Sequence, residues 1–80
     1  GKNEAIYLRE IENFVVVDQT RGEVGPIVAF SSNGPQDLIV IRTSRGEFQV
    51  PLVQAFLKKI DFKAGKVHMD IPLGLLEEFE

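Results

Sequence analysis

Apolar residues in this chain come in short runs, and turn-forming residues interrupt them at intervals of roughly ten residues. Residues 14–17 (FVVV) and 38–41 (LIVI) are the clearest runs, and no long stretch keeps a helical period. β-branched and aromatic residues of this kind fit a pleated, half-buried surface. The pattern therefore predicts a mostly-β fold built from short strands.

The segments between the runs carry turn chemistry. They are polar and rich in glycine: residues 18–22 (DQTRG), 31–35 (SSNGP), 43–46 (TSRG) and 63–65 (KAG). Gly22 and Gly25 lack the third glycine and the following helix of a phosphate-binding loop, so they are interpreted as a hairpin turn and a close strand crossing. Pro26 cannot donate a ladder hydrogen bond, which predicts a bulge or a sheet edge at that position.

The sequence does not fix the secondary structure of two segments. Residues 52–57 (LVQAFL) fit either one helical turn or a strand, and the tail at 73–79 fits a short terminal helix. With five or so strands elsewhere, the sequence predicts a small antiparallel β-barrel with a short helical turn near 52–57, and it allows a second at the C-terminus. Closing the sheet would remove unpaired strand edges.

The length and the absence of cysteine narrow the class further. Eighty residues suffice for one domain, so we expect a single unit over 1–80, with 1–5 flexible or introduced by cloning. Without cysteine the chain has no disulfide and no thiolate metal site. No apolar run approaches the roughly 20 residues that span a bilayer, and no signal-peptide pattern opens the chain. A cytoplasmic protein is the expectation.

The charge balance argues against a dedicated nucleic-acid binder. The chain holds 9 Lys and Arg against 12 Asp and Glu, a net charge of −3, whereas such binders usually carry a basic excess. Four lysines nevertheless gather around Phe62, at positions 58, 59, 63 and 66. They could contact phosphates, but protection of an edge strand from aggregation is the favoured interpretation.

No catalytic constellation is present in the sequence. The single histidine, His68, alternates with Val67 and Met69 and is expected on the outer face of a strand, without partners for metal binding or general-base chemistry. Four aspartates are expected to cap turns at strand ends: Asp18, Asp37, Asp61 and Asp70. The serines lie in turns without a nucleophile motif. We therefore expect no enzyme, no cofactor and no metal.

Five motifs in a fixed order resemble the PRC-barrel domain of the RimM family of ribosome maturation factors. They are residues 22–25 (GEVG), 36–41 (QDLIVI), 50–57 (VPLVQAFL), 60–67 (IDFKAGKV) and 70–77 (DIPLGLLE). Each motif is weak alone, but their order and spacing are fairly specific, and the resemblance as a whole covers roughly residues 6–78. The resemblance implies a PRC-barrel fold and a second, N-terminal barrel that this chain lacks.

The chain departs from the family pattern at three places. The family often has two adjacent aromatics before the first strand, where this chain has Ile6 and Tyr7. A Leu-Ile-Gly sequence is replaced by residues 11–13 (IEN), so the family glycine is missing. Leu73 stands where an acidic residue is common in the closing motif.

The resemblance also implies a function. It points to a non-catalytic assembly factor domain that binds the head of the small ribosomal subunit and assists its maturation and rRNA processing. The expected partners are small-subunit ribosomal protein nineteen and nearby ribosomal RNA, the latter shared with the N-terminal barrel, with no membrane and no small-molecule substrate. The partner-binding residues expected from the sequence are Tyr7, Arg9, Arg45 and Leu73. Tyr7 suits an exposed anchor, although it equally suits a side chain that covers the barrel end.

Two other functions fit the same sequence. A generic PRC barrel could dock on a protein unrelated to the ribosome, because such barrels also resemble domains of photosynthetic reaction-centre subunits. A barrel that binds a small molecule would need a polar cavity, whereas the interior of so small a barrel is filled by side chains.

Overall fold

Six strands follow one another in the part of the chain that the structure describes, and turns of the predicted type separate most of them. The computed structural model describes residues 8–34, 36–72 and 74–75. A 3-10 helix (Leu8–Ile11) precedes the strands β1 (Val15–Asp18), β2 (Gly22–Asn33), β3 (Gln36–Thr43), β4 (Gly46–Pro51), β5 (Leu57–Asp61) and β6 (Lys66–Met69).

The strands form one sheet in the order β4-β3-β2-β1-β6-β5. The prediction of a mostly-β PRC-barrel fold is confirmed, but the expected closure of the sheet is wrong for the described strands, since β4 and β5 are not paired and form its edges. The antiparallel prediction is wrong for one pair, since β1 and β6 run parallel. Parallel neighbours require a long crossover, and here the intervening strands β2 to β5 supply it.

The long strand β2 bends so that its two halves belong to different pairs. Its first half pairs with β1 and its second half with β3, and the register shifts on both sides near Pro26. The predicted bulge is therefore confirmed. Gly25, with φ of +156°, lies so close to β3 that an added Cβ would collide with the carbonyl oxygen of Arg42. This is the close strand crossing that the sequence predicted.

Asn13 occupies the position at which the resemblance led us to expect a glycine. Its φ is +71°, in the left-handed region that glycine enters freely and asparagine tolerates better than most residues. The conformation lets the Asn13 amide donate to the Ile27 carbonyl at 2.8 Å, which joins the 3-10 helix to β2. Asn13 thus supplies a positive φ at this turn without a glycine.

The core lies between the inner faces of the strands and is closed by residues outside them. β1 and β6 alternate, so that Val16, Val67 and Met69 are fully buried while His68 lies half-buried on the opposite face, as predicted. The 3-10 helix contributes Ile11 to the core, and the segment after β6 contributes Ile71. The remaining buried members of the cluster are Ile27, Ile39, Ile41 and Val50.

The segment at 52–57 forms a single turn and then a strand. The amides of Phe56 and Leu57 both donate to the Val53 carbonyl at 3.0 Å, after which β5 begins at Leu57. Near the C-terminus, the Leu75 amide donates to the Pro72 carbonyl at 3.1 Å. The rest of the predicted terminal helix lies outside the described residues. Within the described ranges, no helix is long and apolar enough to cross a membrane.

Candidate partner-binding surface

The structure places two of the four residues predicted to bind a partner. Arg9 lies in the 3-10 helix and Arg45 in the turn between β3 and β4, and both are exposed. They therefore belong to separate elements. Tyr7 and Leu73 lie outside the described residues.

Arg45 is carried by a tightly bonded hairpin turn. The Thr43 hydroxyl accepts a hydrogen bond from the Arg45 amide at 3.0 Å and donates to the Gly46 carbonyl at 2.9 Å. Just behind the turn, the Arg42 guanidinium donates to the Glu47 carboxylate at 2.9 Å. The tip is thus held in one backbone conformation, which lowers the entropic cost of using Arg45 in an interface.

Arg9 lies in the 3-10 helix, which a buried side chain fixes to the core. Ile11, the last residue of that helix, is fully buried in the core. The Phe14 amide donates to the Ile11 carbonyl at 3.0 Å and continues the chain into β1. An exposed arginine on an element fixed in this way can meet an anionic group of a partner without reordering the backbone.

Asp18 is the one buried polar residue among those the structure describes, and its carboxylate joins two distant segments. The Ile71 amide donates to Oδ1 at 2.8 Å. Oδ2 accepts hydrogen bonds from the Thr20 amide at 2.9 Å and the Arg21 amide at 3.0 Å, and it also pairs with Arg21 Nη1 at 3.2 Å. The carboxylate therefore connects the β1–β2 turn to the segment after β6.

These contacts keep Asp18 ionised. Burial alone raises the pKa of the carboxyl group, but the hydrogen bonds from the Ile71, Arg21 and Thr20 amides and the charge of Arg21 act in the opposite direction. Their sum holds the pKa of Asp18 below its ordinary value. With both oxygens engaged, this carboxylate serves as a structural anchor for Ile71, two residues before Leu73 in the sequence.

The sequence identified Asp18 only as a turn cap. The bonds to Thr20 and Arg21 confirm that role. The bond to Ile71 joins residues 53 positions apart, and no local pattern announces it. The apolar run before Asp18 is the one available signal, because a carboxylate at an inward-facing position of a buried strand needs buried partners.

Two large apolar side chains are exposed in the described part of the chain. Phe62, in the β5–β6 turn, is 55% exposed, and Leu75, after the Pro72 turn, is 45% exposed. In the same ranges, no group of three or more histidine and carboxylate side chains is arranged to hold a metal ion. Within these ranges, the exposed surface is mainly charged and polar, with Phe62 and Leu75 as its large apolar side chains.

The sequence matches a family model and individual proteins of the same family. A sequence model of the RimM PRC barrel domain matches residues 8–75. Over 75 residues, covering 92% of this chain, the sequence is 51% identical to a ribosome maturation factor RimM of Bdellovibrio bacteriovorus. A ribosome maturation factor RimM of Flavobacterium johnsoniae is 34% identical over 91% of this chain. The chain spans 42% of the length of each of these two relatives.

A solved structure shows the same fold. The crystal structure described as a 16S ribosomal RNA processing protein, RimM, from Pseudomonas aeruginosa superimposes with a TM-score of 0.76. The alignment covers 88% of this chain and 46% of the other, at 25% sequence identity. Sequence and fold comparisons thus agree.

Proposed function

This chain belongs to the RimM family through its PRC barrel domain, and from that premise we propose that it is the PRC-barrel unit, residues 1–80, of a longer, non-catalytic ribosome maturation factor. The match over residues 8–75 carries the proposal, since it covers the whole β-sheet. Two relatives matched across nine-tenths of this chain bear the same name, ribosome maturation factor RimM. Such a factor works in the cytoplasm, where bacterial ribosomes are built.

Within that role we propose that the domain binds the head of the small subunit through small-subunit ribosomal protein nineteen. The net charge of −3 supports this partner, because ribosomal proteins are strongly basic and opposite charge steers their encounter. Contact with nearby ribosomal RNA would be shared with an N-terminal barrel. Docking on a protein unrelated to the ribosome is the competing function, and the titration below separates the two.

The proposed anchor is Tyr7, supported by Arg9, Arg45 and Leu73. Tyr7 stands in the sequence one residue before the 3-10 helix that carries Arg9. The Asp18–Ile71 bond fixes the backbone two residues before Leu73. Rigid neighbouring elements support a binding role for these positions, because a preorganised surface loses less entropy on binding.

The test is a calorimetric titration of the chain against purified ribosomal protein nineteen. We expect binding that weakens as the salt concentration rises, because exposed charges are screened at short Debye lengths. Tyr7→Ala should weaken it by at least about tenfold if tyrosine is an interface hot spot, whereas the matched control Tyr7→Phe, which keeps the ring, should lose much less.

The outcomes distinguish the functions. Salt-sensitive binding that Tyr7→Ala abolishes supports the assembly-factor function and the anchor together. No binding to the ribosomal protein at low salt would overturn the proposed partner and favour docking elsewhere. Binding unchanged in Tyr7→Ala would leave the partner and reject Tyr7 as its anchor.

A further inference from the structure

The hairpin of β5, the 62–65 turn and β6, here called the Phe62 hairpin, concentrates the positive charge of the chain. Between residues 58 and 66 it holds four lysines against one aspartate, a net charge of +3, whereas the rest of the chain has five cations against eleven acidic residues, net −6. Lys58, Lys59 and Lys63 are exposed. Lys66 lies beside Glu23, with Nζ 3.7 Å from Oε2. Outside the hairpin, the described residues hold four cations against seven acidic residues, so the positive charge is concentrated in the hairpin.

The exposed ring of Phe62 lies within this basic hairpin and is fixed in place. Its centroid is 5.8 Å from that of Phe14, and the two rings meet edge to face at 73°. Phe14 itself packs against the core. Such a pair contributes attraction beyond its buried area and holds Phe62 while 55% of it stays in solvent.

The turn that carries Phe62 is rigid. Asp61 accepts a hydrogen bond from the Ala64 amide through Oδ1 at 3.0 Å and one from the Gly65 amide through its carbonyl at 2.9 Å. Gly65 adopts the predicted positive φ of +70°, and its carbonyl accepts from the Val15 amide at 2.9 Å. The ring is thus presented by a turn that is bonded to β1. Lys59 precedes Phe62 by three residues, within about 10 Å along a strand.

Edge protection explains only part of this arrangement. β5 is an edge strand of the described sheet, and its exposed Lys58 and Lys59 stand where charge would hinder pairing with another strand. Phe62 and Lys63 lie in the turn beyond the edge. An exposed aromatic ring favours association and does not protect an edge from it. Edge protection therefore does not account for Phe62 in the turn.

A protein partner of the proposed kind does not fit the hairpin. Ribosomal proteins are strongly basic, so a cluster of four lysines would repel them more than the single arginines Arg9 and Arg45 on separate elements do. Nucleic acid fits both features, since lysines contact phosphates and an exposed aromatic ring stacks on an unpaired base. Single strands are the form in which bases are free to stack.

We propose that the Phe62 hairpin binds single-stranded ribosomal RNA, with Phe62 as the stacking platform and Lys58, Lys59 and Lys63 as phosphate contacts. The inference rests on the proposed function and assigns the RNA contact to a different element from those that carry Arg9 and Arg45. One small domain would then bridge protein and RNA through different elements.

The test measures fluorescence anisotropy of a labelled single-stranded RNA of about ten nucleotides, taken from the head region of 16S rRNA, titrated with the 80-residue chain. Phe62→Leu keeps an apolar side chain and removes the ring, so we expect a loss of affinity of about fivefold or more. Replacing Lys58 and Lys63 together by Gln should reduce the slope of log affinity against log salt by about 1.4, at about 0.7 per phosphate.

Arg42→Gln is the matched control. It removes one exposed positive charge from another hairpin and should leave RNA binding close to that of the parent chain. The thermal unfolding midpoint of each variant checks that the fold is kept. Affinity for ribosomal protein nineteen is measured in parallel.

Loss of RNA affinity in both hairpin variants, with Arg42→Gln unchanged, supports the proposal. Absence of RNA binding at about 50 mM salt, or equal affinity in all variants, overturns it. Loss of affinity for the ribosomal protein instead of RNA also overturns it and makes the hairpin a protein surface. Failure of the ribosomal-protein titration alone rejects the proposed protein partner and leaves the RNA result standing.

Discussion

Asp18→Asn is the substitution that most directly tests how this small domain is held together. It keeps the size of the side chain and removes its charge. An asparagine oxygen can still accept from the Ile71 amide, as Oδ1 does at 2.8 Å. The new amide group must then face the Thr20 and Arg21 donors that Oδ2 now accepts, so donors meet donors.

The magnitude follows from the number and burial of these bonds. Asp18 is 1% exposed, and the side chain of Arg21 beside it is 10% exposed. A hydrogen bond to a charged group contributes about 1.5–3 kcal/mol, and breaking a buried ion pair by removing one partner costs about 3–5 kcal/mol. We expect Asp18→Asn to lower the free energy of unfolding by about 3–5 kcal/mol. A domain of 80 residues is stable by about 4–12 kcal/mol in all.

The measurement is urea-induced unfolding at neutral pH, with the parent chain and Glu47→Gln as references. Glu47 pairs with Arg42 at 2.9 Å, closer than the 3.2 Å of the Asp18–Arg21 pair, but its side chain is 49% exposed. Water screens such a pair, so Glu47→Gln should cost less than about 1 kcal/mol. The control thus separates the effect of burial from the effect of distance.

Equal destabilisation by Asp18→Asn and Glu47→Gln, within about 0.5 kcal/mol, would refute the reasoning. That result would mean that the Asp18 carboxylate is hydrated in solution and that Ile71 does not depend on it. A folded Asp18→Asn chain with a lower slope of free energy against urea would instead show that less surface is buried, as expected if the segment after β6 detaches.

Two further predictions concern acid and glycine. The folded pKa of Asp18 lies below the ordinary value of 3.8, so the unfolded chain takes up the proton first as the pH falls, and stability is lost from about pH 5 downward through the folded pKa. Urea midpoints measured between about pH 5 and about pH 2.5 should therefore fall less in Asp18→Asn than in the parent chain. Parallel curves for the two chains would contradict this. Gly25→Ala should lower the free energy of unfolding by more than about 3 kcal/mol, because the added Cβ would meet the Arg42 carbonyl. The control Gly34→Ala, at a φ of +66° with open space around it, should lower it by about 1–2 kcal/mol. Equal losses in urea unfolding would mean that the strands are free to separate at Gly25.

The sequence predicts the candidate site only in part. The positions of the turns, and hence of Arg45 at the tip of its hairpin, were accessible from the residue types alone, whereas Phe62 was expected at the end of a strand and lies in the turn that follows β5. The exposure of Phe62 was not, because a phenylalanine beside strands is buried more often than exposed. Its contact with Phe14 joins residues that only the β1–β6 pairing brings together.

The strand class, most of the turns and the family resemblance could be recognised from the order of residue types alone. These features depend on short-range chemistry, such as positive φ at Gly65 and the missing amide hydrogen of Pro26 near a bulge. The parallel pairing of β1 with β6 and the bond from Ile71 to Asp18 became visible only in the folded chain. Partners so distant in the chain are selected by the shared burial of their side chains, and no local pattern encodes that choice.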